Sequence, residues 1–295
     1  MRPRLVEYLE STIFGTSFFV PDYLLLHTVA ILVGIHLALS AAERQRLDLG
    51  KVVLVLAMTL LVVFIGARLY LIIESLDNLS HTTISLSTFL HGGSASFGAY
   101  LGLILGAYIG ASFFRLPKRE FLDCLAPSVA LGIVLGRIGC FLSGCCFGKP
   151  TDVIWAVRFP VGSYSYYAQL QTGLIEHHQS PLPVHPTQLY EALYTSLVFL
   201  ILIMYRGKTP KQPGKLFALL FILYPMGRFI IEFFRGDDRA FVYFLSLPQV
   251  LSVVAVVLAI CFFVGEERLL RMANMTAMVY RKNRARNLGF GLARK

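Results

Sequence analysis

The sequence predicts an all-α polytopic membrane protein with about seven transmembrane helices, its N-terminus on the outer side and its C-terminus cytoplasmic. Three observations carry this. Hydrophobic types make up 56% of the 295 residues and charged types 15%, against about 25% charged in an average soluble domain. Apolar runs near twenty residues recur along the chain, each enough to cross about 30 Å of hydrocarbon as a helix. Basic residues gather between alternate runs. Intrinsic disorder is excluded by the hydrophobicity, and a membrane β-barrel by the lack of alternating segments of about ten residues.

The runs fall near 23–42, 51–73, 94–114, 121–143, 187–205, 215–234 and 246–265, in one integral membrane domain covering 1–295. Residues 1–20 contain Glu7 and Glu10, lack a signal-peptide pattern and read as an outer-surface amphipathic segment. The loop after the first run holds Arg44, Arg46 and Lys51. The third loop holds Arg115, Lys118 and Arg119, and the fifth Arg206, Lys208, Lys211 and Lys215. The tail 266–295 adds eight more, from Arg268 to Lys295. Those eighteen of 27 basic residues share one side, which the positive-inside rule makes cytoplasmic. The net charge of +10 is thus a topology signal, with contact to anionic lipid, and no nucleic-acid partner is expected. The large loops, 74–93 and 144–186, lie on the outer side.

Small residues stripe two spans. Gly98, Gly102, Gly106 and Gly110 repeat every four residues in the third, and Gly132, Gly136, Cys140, Gly144 and Gly148 through the fourth and beyond. Such stripes let backbones approach closely in lipid.

Charge that opposes the topological trend is more informative. In the sixth span Tyr224, Arg228, Glu232 and Arg235 are spaced to share one helical face. Each charge costs about 2.5–3.5 kcal/mol at mid-membrane. Glu232 is expected to bridge Arg228 and Arg235 and to leave one net positive charge, so the cluster reads as an anion site or as a structural ion pair. Gly136-Arg137 ends the fourth span beside a glycine-rich turn, a combination suited to phosphate. With Arg228 it makes a two-arginine clamp. Arg68, in the second span, is a further outer-half cation. His91-Gly92-Gly93 stands at the mouth of the third span, where a histidine can act as base or donor. His185-Pro-Thr-Gln188-Leu-Tyr-Glu191 opens the fifth, with Pro186 suited to a first helical turn. Gln188 and Glu191 share a face there, and capping does not explain a glutamate inside the span. Cys140, Cys145, Cys146 and His185 allow a zinc site, but C-x4-C-C matches no common zinc pattern. A disulfide is the alternative, since the outer compartment oxidises thiols.

Together these motifs, in order over about 23–265, resemble the bacterial prolipoprotein diacylglyceryl transferases. The resemblance implies a seven-span protein of the bacterial inner membrane with its active site near the periplasmic side. It also implies transfer of diacylglycerol from phosphatidylglycerol to the lipobox cysteine of a prolipoprotein signal peptide, with a thioether formed and glycerol 1-phosphate released. Arg137 and Arg228 match the family's essential arginines and His91 its histidine. Tyr224, Glu232, Arg235, Gln188, Glu191, His185, Gly92, Gly93 and Arg68 are taken as substrate-binding. No cofactor or metal is expected, because guanidinium groups supply the positive field. The chain departs from the family pattern at Cys140 for asparagine, Cys145 for glutamate, Lys149 for arginine and His27 for tyrosine. Two other functions fit the residues: a non-catalytic phospholipid-binding homologue, and a related membrane transferase with another acceptor or lipid.

Overall fold

A computed structural model describes residues 22–76, 96–177, 179–208, 213–237, 241–242 and 244–261. The described chain is helical apart from a two-stranded ribbon. Helices α1 (Asp22–Arg44), α2 (Leu49–Leu76), α3 (Ser96–Phe113) and α4 (Lys118–Ser143) come first. A short helix, α5 (Tyr164–Gln171), interrupts the long loop. Then follow α6 (Thr187–Lys208), α7 (Lys215–Glu232) and α8 (Leu247–Cys261). Strands β1 (Phe241–Val242) and β2 (Leu245–Ser246) pair antiparallel just before α8.

Among the described residues four helices are long and apolar enough to cross a membrane: α1, α2, α4 and α6. Leu101–Phe113 and Leu247–Cys261 are shorter apolar helices. The 18 residues of α7 include Lys215, Arg228 and Glu232, more charge than a plain hydrophobic span carries. Large apolar side chains such as Leu32, Leu61, Leu105, Leu193 and Ile230 stand outward on these helices, as a hydrocarbon solvent allows.

Two helix pairs dominate the packing, α2 with α3 and α1 with α4, and α6 and α7 close on α4. The α2–α3 seam is built on the glycine stripe of the third run. A Cβ at Gly102 would lie 2.6 Å from the Val62 carbonyl oxygen, and one at Gly106 2.9 Å from Thr59 Cα. On α2, Val55, Thr59, Val62 and Gly66 provide the complementary face at heptad-like spacing. The fourth-run stripe does different things. Gly132 faces open space, and Gly136 and Gly139 take only ordinary contact from His27 of α1. Gly144 ends α4 in the left-handed region, at φ 71°, with its N–H bonded to the Phe141 carbonyl. Period four alone therefore does not mark a seam: Gly102 and Gly106 meet the α2 backbone, whereas Gly136 meets only the His27 side chain.

At one end of the bundle, Ala41, Val52, Ala111, Leu116, Phe121 and Leu125 join the ends of α1 and α3 to the starts of α2 and α4. Asp123 of α4 reaches the start of α7 there. Its carboxylate accepts from the N–H groups of Gly214 at 2.8 Å and Phe217 at 2.9 Å. Gly214 has no side chain to cap α7 itself, so a neighbouring helix satisfies these orphan donors. The clamp sets the register. Arg137 lies fourteen residues beyond Asp123, and Arg228 fourteen beyond Gly214. At 1.5 Å per residue both arginines stand about 21 Å from the clamp, at matched depth. Between clamp and arginines, Ala126, Ala130, Val198, Leu202, Leu216 and Leu220 fill the space among α4, α6 and α7.

Candidate active site

The arginines meet on a glutamate. Glu191, one turn into α6 and fully buried, receives Arg137 Nε at 3.0 Å on one carboxylate oxygen. Arg228 Nε stands 3.9 Å from the other, and the Tyr224 hydroxyl donates to the first at 2.8 Å. Three helices thus contribute to one polar centre in an apolar bundle. Gly227 places Arg228 there, because it leaves room for the Tyr194 ring; a Cβ at 227 would fall inside van der Waals contact with that ring. The Tyr194 hydroxyl also donates to the Leu223 carbonyl at 2.6 Å, which locks α6 on α7.

Glu232 lies 2.5 Å from Arg228 NH1, an ion pair at angles outside those of a hydrogen bond. It accepts from the Ser246 hydroxyl at 3.1 Å. Arg235 does not share the helical face expected for it. The helix ends at Glu232, and Arg235 lies in the following turn, bridged to Gly148. Its bidentate partner is Asp237, at 2.8 Å and 2.6 Å. The expected surplus charge is therefore absent: Glu191, Glu232 and Asp237 balance Arg137, Arg228 and Arg235. Asp237 went unread because Gly-Asp-Asp-Arg looks like an ordinary polar loop.

Hydrogen bonding within the centre is incomplete. Among the described residues, Arg235 NH1 lacks an acceptor and Gln188 Oε1 a donor, and Glu191 Oε2 has Arg228 Nε no nearer than 3.9 Å. Buried polar atoms are rarely left so.

Beyond α4 the chain is held from both sides. Gln188 donates to the Cys145 carbonyl at 2.7 Å and Thr187 to that of Cys146 at 2.8 Å. The Gly148 N–H bonds the His185 carbonyl at 2.9 Å, and the Gly236 N–H bonds the Phe147 carbonyl at 3.1 Å. A Cβ at Gly148 would meet His185 at 2.6 Å, so the strand passes only because that residue is glycine. Cys146 adopts φ 64°, a conformation that costs a non-glycine residue roughly 1–2 kcal/mol. Its sulfur lies within 4.8 Å of those of Cys140 and Cys145, and the Cys145 thiol donates to the Cys140 carbonyl at 3.7 Å. Cys140 is thus more than a small residue on a packing face.

Other expected residues lie apart from this centre or outside the description. His185 is half-buried, its Nδ1 3.1 Å from the Tyr190 hydroxyl and its ring on Phe234. It sits at the rim through its backbone rather than beside the arginines' carboxylate. Arg68 belongs to α2, which packs chiefly on α3, with its guanidinium 5.2 Å from the Phe64 ring centre. His91, Gly92 and Gly93 lie outside the described residues. Trp155, which no sequence motif marks, donates to the Tyr190 hydroxyl at 2.6 Å.

An all-helical bundle with membrane-length helices and a buried arginine–carboxylate centre at one end defines an integral membrane protein with a polar site among its spans. Residues 12–265 match the family model described as prolipoprotein diacylglyceryl transferase. The chain belongs to that family. It is 34% identical over 199 residues to the phosphatidylglycerol–prolipoprotein diacylglyceryl transferase of Clostridium tetani, covering 68% of this chain and 74% of that protein. To the protein of the same name from Ruegeria pomeroyi it is 28% identical over 283 residues, covering 87% and 93%. To that from Mannheimia succiniciproducens it is 32% identical over 210 residues, covering 68% and 71%.

Proposed function

We propose that this protein transfers the diacylglyceryl group of phosphatidylglycerol to the thiol of a prolipoprotein cysteine, forming a thioether and releasing glycerol 1-phosphate. Family membership and the relatives' names support the reaction class. The observation that carries the assignment of residues is the convergence of Arg137 and Arg228, from separate helices, on buried Glu191.

The lipid phosphate accepts hydrogen bonds from the guanidinium N–H groups of Arg137 and Arg228. Glu191 and Tyr224 hold the two arginines in place, and Glu232 steadies Arg228. The unused oxygens of Glu191 and Gln188 suit the head-group hydroxyls. His91 accepts the thiol proton, and Gly92 and Gly93 let the chain approach the lipid. Sulfur attacks the sp3 glycerol carbon, and the carbon–oxygen bond breaks with its electron pair passing to the phosphate. The guanidiniums bind more strongly as charge grows on that oxygen, which is the form of binding that accelerates a reaction. Arg235 and His185 border the centre, and Arg68 on α2 meets the substrate away from it.

In this reading the bundle has seven spans in the bacterial inner membrane, with the N-terminus periplasmic, the C-terminus cytoplasmic and the site near the periplasmic face. The basic loops at the Asp123 end support that orientation. Labelled-lipid transfer to a lipobox peptide tests the proposal. Arg137→Ala and Arg228→Ala are each expected to lower turnover at least a hundredfold, in line with loss of a preorganised charge contact. Normal turnover in either variant overturns the clamp. Lipid binding without transfer in the unmodified protein would favour the phospholipid-binding homologue instead.

A further inference from the structure

We propose that Cys140, Cys145 and Cys146 form a three-thiolate site for one thiophilic d10 cation, zinc, whose fourth coordination position receives the acceptor thiol. The three sulfur atoms lie within 4.8 Å of one another, although the residues come from a helix end and the turn beyond it. Zinc–sulfur bonds of about 2.3 Å in a tetrahedron require sulfur separations of about 3.8 Å. Each sulfur therefore moves inward by at most about 0.6 Å to bind.

The backbone is already committed to this arrangement. Gly144 and Cys146 both take left-handed conformations, and these turn residues 145 and 146 back toward the helix end. The Cys145 N–H bonds the Cys140 carbonyl at 3.2 Å. Gln188 and Thr187 hold the carbonyls of Cys145 and Cys146 from α6. A site fixed from both sides loses little conformational freedom on binding. Two of the three sulfurs are half-buried and one is buried, so the site is enclosed but reachable.

No fourth histidine, cysteine or carboxylate joins the group among the described residues. Three protein ligands and an open position are the arrangement of reactive rather than structural zinc. Zinc with three thiolates carries one net negative charge. An incoming thiol that binds zinc gives up its proton to solvent or a nearby base. Its sulfur keeps the electron pair that forms the new carbon–sulfur bond, and the departing oxygen takes the pair of the broken bond. This role rests on the transferase reading; the metal site does not. It departs from the expectation of a metal-free reaction.

The test uses the full chain, purified in detergent with reductant and loaded with Zn2+ or Cd2+. One ion per chain is expected to survive desalting, and Cd2+ is expected to give an ultraviolet thiolate charge-transfer band. C140S, C145S and C146S should each lose the ion and the band, whereas C261S keeps both. X-ray absorption of the unmutated zinc form requires no variant to fold and should show three sulfur ligands, rising to four with a prolipoprotein peptide. Absence of stoichiometric binding, a nitrogen- or oxygen-dominated shell, or an ion retained by the triple serine variant overturns the site. A sulfur count unchanged by peptide overturns the thiol-binding role. Transfer that survives complete metal removal also sinks that role while leaving the transferase reading intact. Occupied metal with no transfer sinks the transferase reading alone.

Discussion

The α2–α3 seam and the α4–α6–α7 centre hold helices together by opposite means. Along the first, Gly66, Gly102 and Gly106 bring backbones into contact. Thr59 turns its hydroxyl onto its own helix, at 2.6 Å from the Val55 carbonyl. The second buries three arginines and two glutamates. Dispersion between close backbones suffices in lipid, so polar groups are not needed to assemble helices. A centre that carries five buried charges is then more than a fastening, which is why the proposed reaction is placed there.

Removing the charge that both cations share separates the two regions most sharply. Glu191→Ala leaves Arg137 and Arg228 without their common carboxylate, a loss expected to cost about 3–5 kcal/mol. Thermal unfolding in detergent should show a steep fall, and transfer should vanish. Glu191→Gln retains the shape and should unfold nearer to the parent while remaining inactive. An undiminished melting point in Glu191→Ala would show that the centre contributes nothing to assembly.

A seam substitution should do the reverse. Gly102→Val pushes a branched side chain against the backbone of residues 62 and 63, at an expected cost of about 1–3 kcal/mol. Stability should drop while the KM for lipid in the surviving folded fraction stays unchanged. A large change in KM would mean that the two regions are coupled. The smallest effect is expected from Tyr224→Phe, which removes one hydrogen bond to Glu191, about 1 kcal/mol. It should lower kcat modestly through looser placement of Arg137, and an unaltered kcat would remove Tyr224 from the positioning set.

The sequence shows the centre well because charge within an apolar run is conspicuous. Arg137, Glu191, Arg228 and Glu232 could be named without coordinates for that reason. Their pairing could not, since the distance from residue 137 to 191 in the chain says nothing of which oxygen meets which nitrogen. Arg235 was misplaced by one continued turn, because Phe233 and Phe234 extend the apolar pattern after the helix has ended. Asp123 passed unnoticed as a charge near a helix start, although its partners lie ninety residues away. The cysteine cluster stayed ambiguous because a C-x4-C-C spacing does not reveal that the chain reverses at Gly144. The glycine repeat was legible, but only the facing helix decides which repeats become seams.

The Asp123 clamp has a consequence for how this chain can change over time. It makes α4 and α7 two rulers read from a common zero. A single-residue insertion in either, beyond the clamp, would swing its arginine by about 100° and advance it 1.5 Å. Glu191 would then meet only one of its cations. Length changes in the two helices are tolerable only as matched events, so these segments should drift in composition far more readily than in length.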